Sequence, residues 1–411
     1  MQNLAVKVAD NLYWVGAIDF DLRTFDIIVP TPFGTTYNSF LLTTNDGNVL
    51  FETVKEPFHQ EHLERIENVI GKKGQINYII LNHTEPDHSG SLNYILEKHP
   101  NATVIATAAA LNNLKFISHL STTVKTACSI KLKSLQVGKY HLKFLIQPFL
   151  HWPDTMMTVI EELKVLLPCD FFAVHYAEPK LFDDQVEGKE QVLEKLYKHY
   201  FDAVMSPFKA SVLKGVQLVE TQMGFPVEEL QAICCSHGLI IRKDIKKIIE
   251  KYKEWSEPQI LKNKIVVVYA SAYGYTKIMT NRIVEGIRSV GVEVSVYNII
   301  DTTVKEILND FKDAKGLLLG SPTIVGDATP PFYELLGHMN PFIYSNRLIQ
   351  CFGSFGWSGE GVKNLIPRIQ QLKVKEVNKP LSIRFRPTKE QETECFNWGK
   401  DFGTKVIDYH H

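Results

Sequence analysis

The stretch LNHTEPDHSG, from Leu81 to Gly90, sets two imidazoles and two carboxylates, His83, Glu85, Asp87 and His88, within six consecutive positions. Imidazole nitrogens and carboxylate oxygens are the donors of a protein metal centre. The run INYIILN ahead of them reads as a strand, so they stand just past its carboxyl end, where the chain turns and sites are built. In an extended loop His83, Glu85 and Asp87 alternate and project to one side, with Pro86 stiffening the segment between them. A solvated polar loop is the ordinary reading of a lone His-x-Glu, but four ligand-type residues in six positions count against it. More distant residues separate the two readings: His151 ends the run HLKFLIQPFL, Asp170 follows VLLPC, and His237 lies in the small-residue turn CCSHG after an expected helix.

A second group of loops has a different chemistry. Ser271, Ala272, Tyr273, Gly274, Tyr275 and Thr276 follow the strand-like IVVVYA and open a helix, a place where hydroxyls and backbone N–H groups cradle an anion. The loop has neither the G-x-G-x-x-G spacing of a dinucleotide fold nor the lysine of a P-loop, which points to a monophosphate. Ser321, Pro322, Thr323 and Ile324 follow GLLLG, and Ser354, Phe355, Gly356, Trp357, Gly359 and Glu360 follow LIQCF. Three such loops at the carboxyl ends of neighbouring parallel strands form the switch-point crevice of an open α/β sheet.

The elements that must carry these loops divide near residue 255, where KDIKKIIEKYKEWSEPQILKNK hands over to KIVVVYASAYG, giving expected domains 1–255 and 256–411. Downstream, five apolar runs alternate with helical segments beginning near Thr276, Val304, Pro330, Gly359 and Thr388, the pattern of a doubly wound parallel sheet. Upstream, strands are expected to dominate to about Phe172, with helices at 189–205, 209–223, 227–234 and 243–255, an α+β or α/β sandwich.

A chain of 411 residues with 45% hydrophobic and 22% charged residues has ample core for two globular domains. The net charge of -1 gives no electrostatic reason to expect nucleic acid or an anionic membrane as partner. No run has spanning length and the amino terminus lacks a signal-peptide apolar core, so a cytoplasmic protein is expected. The six cysteines form no C-x-x-C pair, which excludes a rubredoxin module or zinc ribbon within the sequence.

The H-x-E-x-D-H box followed by strand-end His151, strand-end Asp170 and loop His237 resembles the metallo-β-lactamase-like fold, an αββα sandwich, over about the first 255 residues. Zinc hydrolases of that fold carry histidine where this chain has Glu85. A third carboxylate beside Asp87 and Asp170 suits iron or manganese better than a histidine-rich set would. On that resemblance His83, Glu85 and His151 hold one iron, Asp87 and His237 the other, and Asp170 lies between, with a bridging oxo or hydroxo group; His88 is a ligand or a hydrogen-bonding neighbour. The second domain resembles flavodoxin, a five-stranded doubly wound parallel sheet whose three loops hold FMN. The first loop would hold the phosphate and the other two would border the isoalloxazine ring. Trp357, between Gly356 and Ser358 in a polar loop, is placed against the flavin rather than in the core.

The pair of domains resembles the flavodiiron proteins, also called A-type flavoproteins, over essentially the whole chain. The resemblance implies an oxidoreductase that passes electrons from FMN to the diiron centre and reduces dioxygen to water or nitric oxide to nitrous oxide. It also implies a separate electron donor, rubredoxin or an NAD(P)H-dependent reductase, and a head-to-tail homodimer or homotetramer. Tyr200 and Phe201 resemble the family's aromatic stretch near the irons, with helix packing expected for at least one. The segment FDLRTFDII lacks a histidine that some relatives carry there, so their substrate does not transfer. The competing readings are a dizinc hydrolase with a flavodoxin-like appendage and an electron carrier without a working metal site.

Overall fold

A computed structural model describes residues 4–258, 260–375 and 377–410. The chain forms two compact units that divide between Glu257 and Pro258. In the first, Val6–Ala9, Leu12–Trp14, Phe40–Leu42, Val49–Phe51, Tyr78–Ile80, Thr103–Ala106 and Lys125–Cys128 form a seven-stranded sheet in that order. Ser134–Val137, Tyr140–Ile146, Met156–Ile160, Val165–Cys169 and Ala232–Cys235 form a second sheet of five strands. Alternation along each strand sends successive side chains to opposite faces. Phe40 and Leu42 thus meet Leu142, Phe144 and Met156 between the sheets, while Leu41 packs outward with Leu63, Ile66, Ile95 and Leu114 of the helices His59–Ile70, Leu92–Lys98 and Ala108–Ile117. Helices Lys209–Gln222 and Ile245–Ser256 cover the second sheet through Val212, Val216, Ile245 and Ile249. The result is an αββα sandwich.

Two local expectations are corrected. The segment expected as a helix at 227–234 is a single 3-10 turn, Val227–Glu229, followed by the strand Ala232–Cys235, so His237 follows a strand. AICC is too short for a helix, and all four residues are buried on the sheet edge, paired parallel to Val165–Cys169. The box at 83–88 is extended only through Glu85. Pro86–Ser89 is a helical turn with proline at its first position, where the missing N–H costs nothing, and it carries Asp87 and His88.

In the second unit five parallel strands run in the order Glu293–Asn298, Lys262–Tyr269, Ala314–Gly320, Leu348–Phe355 and Leu381–Arg384. Val266, Val268, Leu317 and Leu319 face one helical layer, and Ile265, Val267 and Leu318 the other. Burial on both faces explains why these strands read as unbroken apolar runs. The strand order reverses beside Lys262–Tyr269, which opens the crevice at the carboxyl ends.

Candidate metal centre and ligand cleft

Strand ends bring the expected ligands together. His83, Glu85, His151 and Asp170 form one group of mutually close donor atoms, and Asp87, His88 and His237 a second. Glu85 Oε2 lies 3.1 Å from His83 Nε2 and 3.3 Å from His151 Nε2. Asp87 Oδ2 lies 3.1 Å from His237 Nε2. Asp170 stands between the groups: its Oδ2 is 3.3 Å from His151 Nε2, while its Oδ1 is 3.1 Å from His88 Nε2 and 3.3 Å from His237 Nε2. His88 therefore belongs to the cluster itself.

Residues from distant segments set the direction of the rings. His83 Nδ1 donates to Asp154 Oδ1 at 3.0 Å, and Asp154 Oδ2 accepts from the backbone and hydroxyl of Thr84. His237 Nδ1 donates to the Thr36 carbonyl at 2.7 Å. Each bond engages Nδ1 and turns Nε2, the nitrogen a metal would use, toward the cluster. Both oxygens of Asp87 and of Asp170 are buried without a hydrogen bond among the described residues. Carboxylates so placed need compensating positive charge, and oxygen and nitrogen donors converging from two sides fit a pair of cations.

The electrostatics carry the same information. Burial works to lower the imidazoles, yet the neighbouring carboxylates prevail: Asp154 and Glu85 raise His83, Asp87 and Asp170 raise His88, and Asp170 and Glu85 raise His151, each to about 10. Burial opposes ionisation of Asp170, but the His88 charge and the adjacent imidazoles hold its carboxyl well below the usual range. Protons thus occupy the places that metal ions would take, and metal binding expels them.

Several residues of this site carried no signal as ligands. Asp154 and Thr36 were missed because they touch only the outer nitrogens. His175, in AVHY after Asp170, is buried, with Nδ1 2.9 Å from Thr35 Oγ1 and its ring 5.0 Å from that of His237. Burial pushes it well below the ordinary histidine range, so it is neutral. Asp26 lies in the segment FDLRTFDII; burial and then the Glu85 charge, with which it shares a hydrogen bond, raise it to about 6. Tyr200 packs edge-on to His175, and Phe201 packs on Tyr252 and Trp255, a helix-packing role.

In the second unit the three loops surround a cleft of about 340 Å³, a small-molecule scale. Ser271, Ala272, Tyr273 and Tyr275 line it on one side, Pro322, Thr323 and Ile324 on another, and Ser354, Phe355, Gly356, Trp357 and Glu360 on a third. Val325, Gly326, Ser358 and Phe385 join them without having been expected. Gly274, Thr276, Ser321 and Gly359 shape the loops instead. Gly274 has a left-handed φ of 82° at the start of Tyr275–Arg288, the Thr276 and Ser354 hydroxyls meet at 2.8 Å, and the buried Ser321 hydroxyl accepts from Thr329 N–H. Trp357 is 90% exposed, which removes it from the core.

Residues 35–238 match the family model described as ODP family beta lactamase, and residues 267–399 match the flavodoxin model. The chain is 38% identical over 408 residues to the flavo-diiron protein FprA2 of Clostridium acetobutylicum, covering 98% of this chain and 100% of that protein. It is 33% identical to the nitric oxide reductase of Moorella thermoacetica, over 98% and 99% of the two chains. The solved rubredoxin oxygen:oxidoreductase from Desulfovibrio gigas superposes with a TM-score of 0.71 at 27% identity, covering 98% and 99%. With the buried two-group donor cluster in one unit and the three-loop cleft in the other, the chain belongs to the flavo-diiron proteins, the type A flavoproteins.

Proposed function

We propose that this chain is an oxidoreductase that takes up electrons at FMN in the cleft of the second unit and delivers them to two irons in the first, where dioxygen is reduced to water. Nitric oxide reduction to nitrous oxide at the same irons is the second reading, and the relative from Moorella thermoacetica named nitric oxide reductase favours it. The observation that carries the proposal is Asp170, whose two oxygens face the two donor groups separately.

When bound, two irons and a two-electron flavin together supply the four electrons that complete reduction of dioxygen requires. In this assignment His83, Glu85 and His151 would hold one iron, Asp87, His88 and His237 would hold the other, and Asp170, with one oxygen facing each group, would serve both. Asp154 and the Thr36 carbonyl hold the outer nitrogens of His83 and His237 and so keep their Nε2 atoms aimed at the cluster. Ser271, Tyr273 and Tyr275, on the loop that Gly274 and Thr276 shape, would take the FMN phosphate, and the loops at 321–324 and 354–360 would take the ring. The metal domain is the unit that ends at Glu257 and the flavin domain the unit that begins at Pro258.

The hairpin next to Asp26 exposes Ile27 and Ile28 at 94% and 78%, and the cleft rim exposes Val325 and Trp357 at 96% and 90%. Apolar rims at both sites suit a head-to-tail homodimer or homotetramer in which the flavin of one subunit meets the irons of another. The electron donor is a separate protein, rubredoxin or an NAD(P)H-dependent reductase, and the enzyme works in the cytoplasm. Among the described residues no helix is long and apolar enough to cross a membrane.

Metal and flavin analysis of the purified chain, followed by steady-state consumption of dioxygen and of nitric oxide with the donor in excess, tests the proposal. The expected content is two irons and one FMN per chain. Two zinc ions with no iron, or rapid oxidation of NADH by the chain alone, would contradict it.

A further inference from the structure

We propose that the end of the fifth strand of the second unit is a further flavin-binding element, in which the Phe385 ring forms a wall for the flat ring system and Arg384 positions it. This rests on the reading of the cleft as the FMN site. Along Leu381–Arg384, Leu381 and Ile383 are buried while Ser382 and Arg384 are exposed, so strand alternation would bury Phe385 next. Phe385 instead adopts a left-handed φ of 57°, a region bulky side chains avoid, and its ring lines the cleft at 51% exposure. Its N–H donates to the Phe355 carbonyl at 2.7 Å, which holds the turn.

The loop that carries Trp357 is built around that ring. A methyl group at Gly356 would come within 3.1 Å of Phe385, and Arg384 Nε donates to the Gly356 carbonyl at 3.0 Å. The Arg384 guanidinium lies 5.8 Å from the Phe385 centroid. One side of the ring thus packs on Gly356 while the rest opens to the cleft beside Tyr273, Ile324 and Trp357. A half-exposed aromatic turned out of its strand at a cost in backbone strain matches a planar, largely apolar ligand edge, the dimethylbenzenoid side of a flavin.

Full-length wild type, Phe385→Ala, Phe385→Tyr, Gly356→Ala and the double variant Gly356→Ala with Phe385→Ala, freed of flavin, are titrated with FMN and with riboflavin, which lacks the phosphate, by flavin fluorescence quenching. Phe385→Ala is expected to weaken both flavins by the same factor, roughly tenfold, the scale of one aromatic pair. Phe385→Tyr restores binding. Gly356→Ala, which must push the ring aside, weakens binding in the wild-type background but adds nothing to Phe385→Ala. Where Phe385→Ala does not fold, Gly356→Ala carries the test. Unchanged affinity in these variants, or a loss confined to FMN, overturns the inference. A wild-type chain that binds neither flavin overturns the functional reading beneath it.

Discussion

The two sites are built on opposite principles. The metal cluster is interior: His83, Asp87, His88, Asp170 and His237 are all nearly inaccessible, carried by strand ends and the helical turn Pro86–Ser89, with buried hydrogen bonds fixing His83 and His237. The flavin cleft is a rim: Tyr273, Val325 and Trp357 stand in solvent, and buried hydroxyls such as Thr276 and Ser321 hold loops in place. Charge that is desolvated must be compensated in full, whereas an exposed aromatic surface can gain a ligand in increments. Losses at the metal site should therefore be abrupt, and losses at the cleft graded.

The largest test is Asp170→Ala. Because both donor groups lose the carboxylate they share, iron analysis should find both metals gone and gas consumption should fall roughly a thousandfold or more, while FMN remains bound. Retained turnover would place the metals elsewhere.

Acid should separate the units next. His62 is buried with Nδ1 donating to the Val15 carbonyl, and burial lowers it to about 4 from an ordinary 6.5. The unfolded chain therefore binds the proton first. The stability that neutral His62 confers is complete above about pH 6.5 and is lost as pH falls towards 4, about 3 kcal/mol in all. No histidine or carboxylate among the described residues of the second unit is buried. Denaturant titrations at pH 7 and pH 4.5 should show the first unit of His62→Gln losing less stability between the two values than that of the wild type, with the second unit alike in both.

A smaller effect is expected at Asp154→Asn. It leaves every ligand in place and removes only the anion that orients His83, so iron affinity should fall about 10- to 100-fold by competition with a chelator. An unchanged affinity would show that the ring is held by packing alone.

The sequence made these two regions legible to different depths, for physical reasons. The parallel sheet of the second unit was readable because strands buried on both faces leave unbroken runs such as IVVVYA and GLLLGS, each followed by a helix. In the first unit the types and order of His83, Glu85, Asp87, His151, Asp170 and His237 were readable because ligand chemistry restricts residue type. Asp154, Thr36 and His175 were not, since an outer partner can be any hydrogen-bonding group at any distance in sequence. AICC misread as helix because four apolar residues have no measurable period. Phe385 was invisible because its role depends on one left-handed residue after a strand.

The smallest expected effect sharpens the contrast at the cleft. The Ser271 hydroxyl, at the start of the first loop, accepts the Lys277 N–H at 3.3 Å and lines the space where a phosphate would sit. In Ser271→Ala one anion donor is lost while the backbone N–H groups at the start of Tyr275–Arg288 remain, so FMN affinity should fall only about tenfold. Riboflavin has no phosphate to lose contact with and should bind the variant as it binds the wild type, and iron content should not change. An equal loss for both flavins would move the phosphate away from this loop and make Ser271 a support for the ring.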